Sequence, residues 1–194
     1  MGFKNNRLFI AIVAIFTLWI FIQLFNAITT LFTLGKPIIN SDWNKYGASI
    51  MFGNFIAQLF GNCLFEELAF RGFLLVQICK KFKSEKIKFF SCIIISQLLF
   101  ALIHIPSRII AGMNLSNILI SLIVVLIIGT LFAITYLVTD NLFLVIGIHA
   151  LWNTPLLVVD GPVSNLVILI FILLLPIIWD KIFTRLSLIV ESKI

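Results

Sequence analysis

Apolar residues run through this chain in long blocks separated by short polar breaks. Six blocks meet or approach the roughly 20 mostly apolar residues that a helix needs to cross a bilayer. They cover residues 8–34, 48–79, 89–105, 117–138, 142–159 and 163–183. The breaks carry turn chemistry: Gly35-Lys36-Pro37, a lysine cluster over 80–88, Pro106-Ser107-Arg108 where Pro106 stops the preceding helix, Thr139-Asp140-Asn141, and Asp160-Gly161-Pro162. The pattern predicts an all-α polytopic membrane bundle of about six transmembrane helices, folded as one membrane-embedded domain over 1–194. The first block exceeds the roughly 7 to 15 apolar residues of a signal-peptide core, so it is expected to remain as a span.

Composition narrows the class further. With 61% hydrophobic and 11% charged residues, the chain is neither an ordinary soluble domain nor a disordered one. The net charge of +6 does not imply nucleic acid, because the basic residues fall in gaps between apolar blocks and form no face. Their expected role is topological. Alternating the sides places Lys4, Arg7, the five lysines between Lys80 and Lys88, Lys181, Arg185 and Lys193 together, against Lys36, Lys45 and Arg108 on the other side. The chain is thus expected in the cell membrane with both termini cytoplasmic. Cys63, Cys79 and Cys92 lie in or at the edges of apolar blocks. Their odd number and lack of CxxC spacing suggest packing residues, not a disulfide framework or zinc knuckle.

Against this background a few residues stand out. An ionisable side chain near the middle of a span costs about 2.5 to 3.5 kcal/mol on insertion scales, which makes it a functional candidate. Glu66, Glu67 and Arg71 all fall in the second block, and both histidines of the chain, His104 and His149, lie inside or at the end of other blocks. At about 100° per residue, Asn54, Gln58, Asn62 and Glu66 form one winding polar stripe. Glu67 and Arg71, at i and i+4, form a separate ion pair. Glu67 therefore has a counter-ion in its own helix, whereas Glu66 faces a polar track. His149 and Asn153 share a helix face by the same spacing.

Such a set is suited to hydrolysis by an activated water. A desolvated glutamate takes a proton from water while an imidazole orients it, and a second imidazole with an amide donates to the oxyanion. No hydroxyl or thiol stands in a nucleophile-elbow motif. Two histidines and a glutamate also make a catalytic zinc set, although HExxH is absent. A buried ion network that only fixes helix packing is a further reading of the three charges. A transporter with a proton-relaying Glu/His pair is another, though no inverted repeat supports it.

Three motifs occur in order on successive blocks: Glu66-Glu67-Leu68-Ala69-Phe70-Arg71 as EExxxR, Phe100 to His104 as FxxxH, and His149 to Asn153 as HxxxN. In this the chain resembles the CPBP (CAAX protease and bacteriocin-processing, or Abi) family of intramembrane endopeptidases over about residues 60–160. The resemblance implies a glutamate-type peptidase with no metal and no cofactor. In it Glu66 with His104 activates water, His149 with Asn153 forms the oxyanion hole, and Glu67 and Arg71 support the site. Its expected partners are a peptide or membrane-protein substrate and the lipid bilayer, with a small membrane-associated or secreted peptide or leader as the substrate cut. The competing expectation is a non-catalytic scaffold or bacteriocin self-immunity protein. Glu66 and His104 lie fourteen and sixteen residues from Lys80 and Lys88, roughly 20 Å or more along a helix. A cavity nearer the outer leaflet follows if the lysine-rich side is cytoplasmic.

Overall fold

The computed structural model describes the backbone of residues 5–83 and 85–191, and their side chains except those of residues 5, 6, 85, 86, 88 and 180–191. The topological roles expected of Lys4, Lys86, Lys88, Lys181, Arg185 and Lys193 lie outside the described residues or side chains. The chain is a helical membrane bundle. Its elements are α1 (Asn5–Leu34), α2 (Asp42–Tyr46), α3 (Ala48–Cys79), α4 (Glu85–Leu102), α5 (Ile105–Ile110), α6 (Leu115–Thr139), α7 (Leu142–Asn153) and α8 (Ser164–Glu191). Among the described residues, α1, α3, α6 and the α4–α5 stretch are long and apolar enough to cross a membrane.

The most buried element is α7, in which Leu142 and every residue from Leu144 to Leu151 are buried. A helix apolar on all sides belongs inside a bundle. Against it lies α1, which turns Ala11, Ala14, Leu18 and Ile22 inward at helical spacing and leaves Phe9, Phe16 and Phe25 outside. Lipid is as apolar as a leucine side chain, so helices here associate by close packing, which small residues allow. Gly147 shows this: a Cβ at that position would collide with the Ile15 side chain. Helix α8 packs chiefly against α1 and α6 and adds Ile168, Ile172 and Leu175 to the core.

The fifth apolar block is not one helix over 142–159. Helix α7 stops at Asn153, about 18 Å long, and the chain continues as irregular backbone through Pro155 and Leu156, whose φ of +48° is unusual for a side chain this bulky. Irregular backbone survives at membrane depth only if its polar groups are satisfied inside the protein, and α1 and α2 do this. Trp19 Nε1 donates to the Leu156 carbonyl at 3.0 Å and Trp43 Nε1 to that of Leu157. Gln23 Oε1 accepts from the backbone N–H groups of Val158 and Val159. Val159 bridges to Ile39.

Other expectations need correction. Pro106 does not end a helix; it lies in the first turn of α5, where its missing N–H costs nothing. Helix α3 is not wound uniformly. Gln58–Cys63 and Leu68–Leu75 are π-helical and flank the short α-helical turn Leu64–Glu67. A π turn holds more residues than an α turn, which shifts the polar stripe, and such segments occur frequently at functional sites. Cys79 and Cys92 are not merely packing residues, because a disulfide joins them with Cα atoms 5.0 Å apart. The tight connection between α3 and α4 sets the helices side by side, a proximity that cysteine spacing does not reveal. Cys63 is free and buried.

Candidate active site

Glu66 and Glu67 are adjacent in sequence, yet α3 gives them different surroundings. The Glu67 side chain is fully buried, whereas that of Glu66 is 25% exposed. Arg71, one turn on, places Nη1 3.1 Å from Glu67 Oε1 with both side chains fully buried, the pair expected from the i, i+4 spacing. The guanidinium is held from two further helices. Its Nη2 donates to Gln97 Oε1 of α4 at 3.0 Å and to the Gly129 carbonyl of α6 at 3.1 Å. It also stacks 4.2 Å from the centroid of the Phe100 ring, a cation–π contact strengthened by the absence of water.

Gly129 makes this approach possible. A Cβ there would lie 2.7 Å from Gln97 Oε1 and 3.1 Å from Arg71 Nη2. Neither Gln97 nor Gly129 was singled out from the sequence. The available signals were an amide inside an apolar block and a small residue where helices meet.

His149 of α7 joins the same network. Its Nδ1 is 2.8 Å from Glu67 Oε1 and its Nε2 is 3.8 Å from Glu66 Oε2. Glu67, paired with Arg71, accepts at Nδ1, so that nitrogen carries the proton and the ring is fixed with Nε2 toward Glu66. The ring also packs 5.1 Å from that of Phe132. The sequence paired Glu67 with Arg71 alone and did not foresee this contact with His149.

His104 follows the last turn of α4. Its Nδ1 is 2.8 Å from the Phe100 carbonyl, and its ring stands edge-on to that of Phe100 at 4.8 Å. A carbonyl only accepts, so Nδ1 donates and Nε2 is left as an acceptor. Asn153, the last residue of α7, is exposed. Its Nδ2 approaches Gln58 Oε1 at 3.5 Å and Cys63 Sγ at 3.6 Å. The set is thus not uniformly buried: Glu67 and Arg71 are sealed in, while Glu66, His104 and Asn153 are reachable.

Glu66, His104, His149 and Asn153 all line one cavity of about 510 Å³, together with Gln58, Asn62, Phe100, Arg108, Ser121 and Trp152. Gln58, Asn62 and Glu66 of the expected stripe are therefore in its wall. Asn54 instead lines a neighbouring pocket with Asn40 and Asp42, beyond the first π segment. Among the described residues, no three His, Cys, Asp or Glu side chains are grouped so as to hold a metal ion.

Comparison with known proteins places these residues in context. Residues 48–155 match a family model described as Type II CAAX prenyl endopeptidase Rce1-like. No curated protein and no solved structure gives a match. The matched stretch is more than half of the chain. It runs from the start of α3 past the end of α7 and takes in Glu66, Glu67, Arg71, His104, His149 and Asn153. The chain belongs to the Rce1-like family of type II CAAX prenyl endopeptidases, and its class is that of a membrane-embedded, CAAX-type protease.

Proposed function

We propose that this protein is a metal-independent glutamic endopeptidase of the cell membrane, which hydrolyses a peptide bond in a small membrane-associated or secreted peptide or leader. The observation that carries this reading is the meeting of Glu66 of α3, His104 of the α4–α5 junction, and His149 and Asn153 of α7 around one cavity.

In the reaction, a water between Glu66 and His104 gives one proton to the Glu66 carboxylate and directs its other hydrogen to His104 Nε2. The water oxygen attacks the peptide carbonyl, and the negative charge moves to the carbonyl oxygen. Asn153 Nδ2–H and a proton on His149 Nε2 donate to that oxyanion, the step at which fixed dipoles contribute most. In this scheme His149 donates from both sides of its ring, Nδ1 to Glu67 and Nε2 to the oxyanion. Collapse of the intermediate breaks the C–N bond, and Glu66 returns its proton to the leaving amine. Glu67 and Arg71 touch no substrate in this scheme; they hold His149 in register.

The lysine-rich side is read as cytoplasmic, with both termini there and the cavity nearer the outer leaflet. Cells expressing Glu66→Gln or His104→Ala at normal membrane abundance are expected to lose processing of the peptide, and chelators are expected to leave wild-type activity intact. Full processing by both variants would show that the protein acts as a non-catalytic membrane partner. Loss of activity on chelation would point to a metal-dependent site.

A further inference from the structure

One charged wall residue has no part in the scheme above. Arg108 of α5 lines the same cavity as His104, Glu66 and Asn153. Its backbone N–H donates to the His104 carbonyl at 3.2 Å, so it stands one helical turn beyond the histidine. In contrast to Arg71, whose guanidinium is bound from three helices, Arg108 makes no hydrogen bond or ion pair with any described side chain. Its Nε is buried without a partner.

Covering a guanidinium N–H without a partner is unfavourable, and an uncompensated cation at the edge of a membrane bundle is more so. The residue's own contacts therefore do not explain its position. The cavity it enters is where a peptide would be cut, and a guanidinium with free terminal N–H groups matches the planar, bidentate geometry of a carboxylate. Ser121, from the early part of α6, lines the same cavity and offers a hydroxyl to it.

We propose that Arg108 is a substrate-positioning residue that holds a carboxylate of the bound peptide, either its free C-terminus or an acidic side chain. This deepens the peptidase reading and rests on it. Four residues of helix separate Arg108 from His104 by about 6 Å along the axis, the reach of about two extended residues. Neutral or amidated peptides are poorer ligands because they leave the cation unpaired.

The test uses randomised decapeptides with an N-terminal fluorophore, in three forms. One has a free C-terminal acid and no Asp or Glu; one is the corresponding C-terminal amide; the third is a C-terminal amide that includes Asp and Glu. Binding is measured to the full-length protein in phosphatidylcholine nanodiscs, with Glu66→Gln present throughout to prevent turnover. One carboxylate form is expected to bind about 10- to 100-fold more tightly than the neutral amide. Preference for the first form identifies the C-terminus as the ligand, and preference for the third an acidic side chain. Arg108→Gln is expected to abolish the preference and Arg108→Lys to restore part of it.

Equal binding of all three forms, or a preference that survives Arg108→Gln, would overturn the inference. Cleavage of the same peptides is followed separately with Glu66 intact. Arg108-dependent preference without any cleavage would leave this inference standing and sink the peptidase reading. Cleavage with no Arg108-dependent preference would do the reverse.

Discussion

Replacing Arg71 with alanine removes a fully buried guanidinium together with its contacts to Glu67, Gln97 and Gly129 and its stack on Phe100. Breaking a buried ion pair from one side costs about 3 to 5 kcal/mol, because the remaining charge is stranded. Glu67 retains His149 Nδ1 at 2.8 Å, so the cost is expected at the lower end, about 3 kcal/mol, or roughly 100-fold in the folded-to-unfolded ratio. Glu66→Gln is the control. It conserves volume at a side chain that is 25% exposed and 3.8 Å from His149 Nε2, and it is expected to cost no more than about 1 kcal/mol. The assay is denaturation of both variants in the same nanodiscs, with membrane abundance at equal transcript level alongside it. Adding Glu67→Gln to Arg71→Ala removes the stranded charge and is expected to recover part of the loss. Equal stability of Arg71→Ala and Glu66→Gln would refute the claim that this network holds the bundle together.

Gly129→Ala places a methyl group 2.7 Å from Gln97 Oε1; it is expected to displace the guanidinium and cost about 1 to 3 kcal/mol, and denaturation unchanged from wild type would contradict this. Reducing the Cys79–Cys92 disulfide, or replacing both cysteines with serine, opens a 13-residue loop and is expected to cost about 3 kcal/mol in the chain-entropy account. If reductant shifts the denaturation midpoint of the double-serine variant as far as that of the wild type, the bond is not the cause. Asn153→Ala is expected to lower kcat about 100- to 1,000-fold with little loss of stability, because the side chain is exposed; peptide kinetics beside denaturation separate the two effects. A cysteine introduced at Pro106 is expected to react with an impermeant thiol reagent in intact cells. Reaction only after lysis would overturn the proposed orientation.

The candidate site residues were readable because ionisable groups are costly inside a membrane. Glu66, Glu67, Arg71, His104 and His149 violate the hydropathy of their blocks, and the four-residue spacings link Glu67 to Arg71 and His149 to Asn153. Their role as a group depended on the helices meeting, which spacing within one helix does not report. The contact of His149 with Glu67, and the capture of Arg71 by Gln97 and Gly129, arise between helices. The uniform helix assumed for α3 failed because propensity and hydropathy do not encode π turns; the consequence is that Asn54 leaves the cavity that Gln58, Asn62 and Glu66 share. The fifth block misled for a related reason. Leu156, Leu157, Val158 and Val159 are apolar enough for a span, but the backbone N–H and C=O groups there are satisfied by Gln23, Trp19 and Trp43, side chains far away in sequence.

The central claim is that Glu66 and His104 activate the water that cuts a peptide bond in this cavity. Its most direct test is the single-turnover cleavage rate of one peptide substrate by purified wild-type, Glu66→Gln and His104→Ala protein in nanodiscs, at equal folded concentration and saturating substrate. Both variants are expected to be slower by at least about 100-fold; cleavage by either at the wild-type rate would contradict the account.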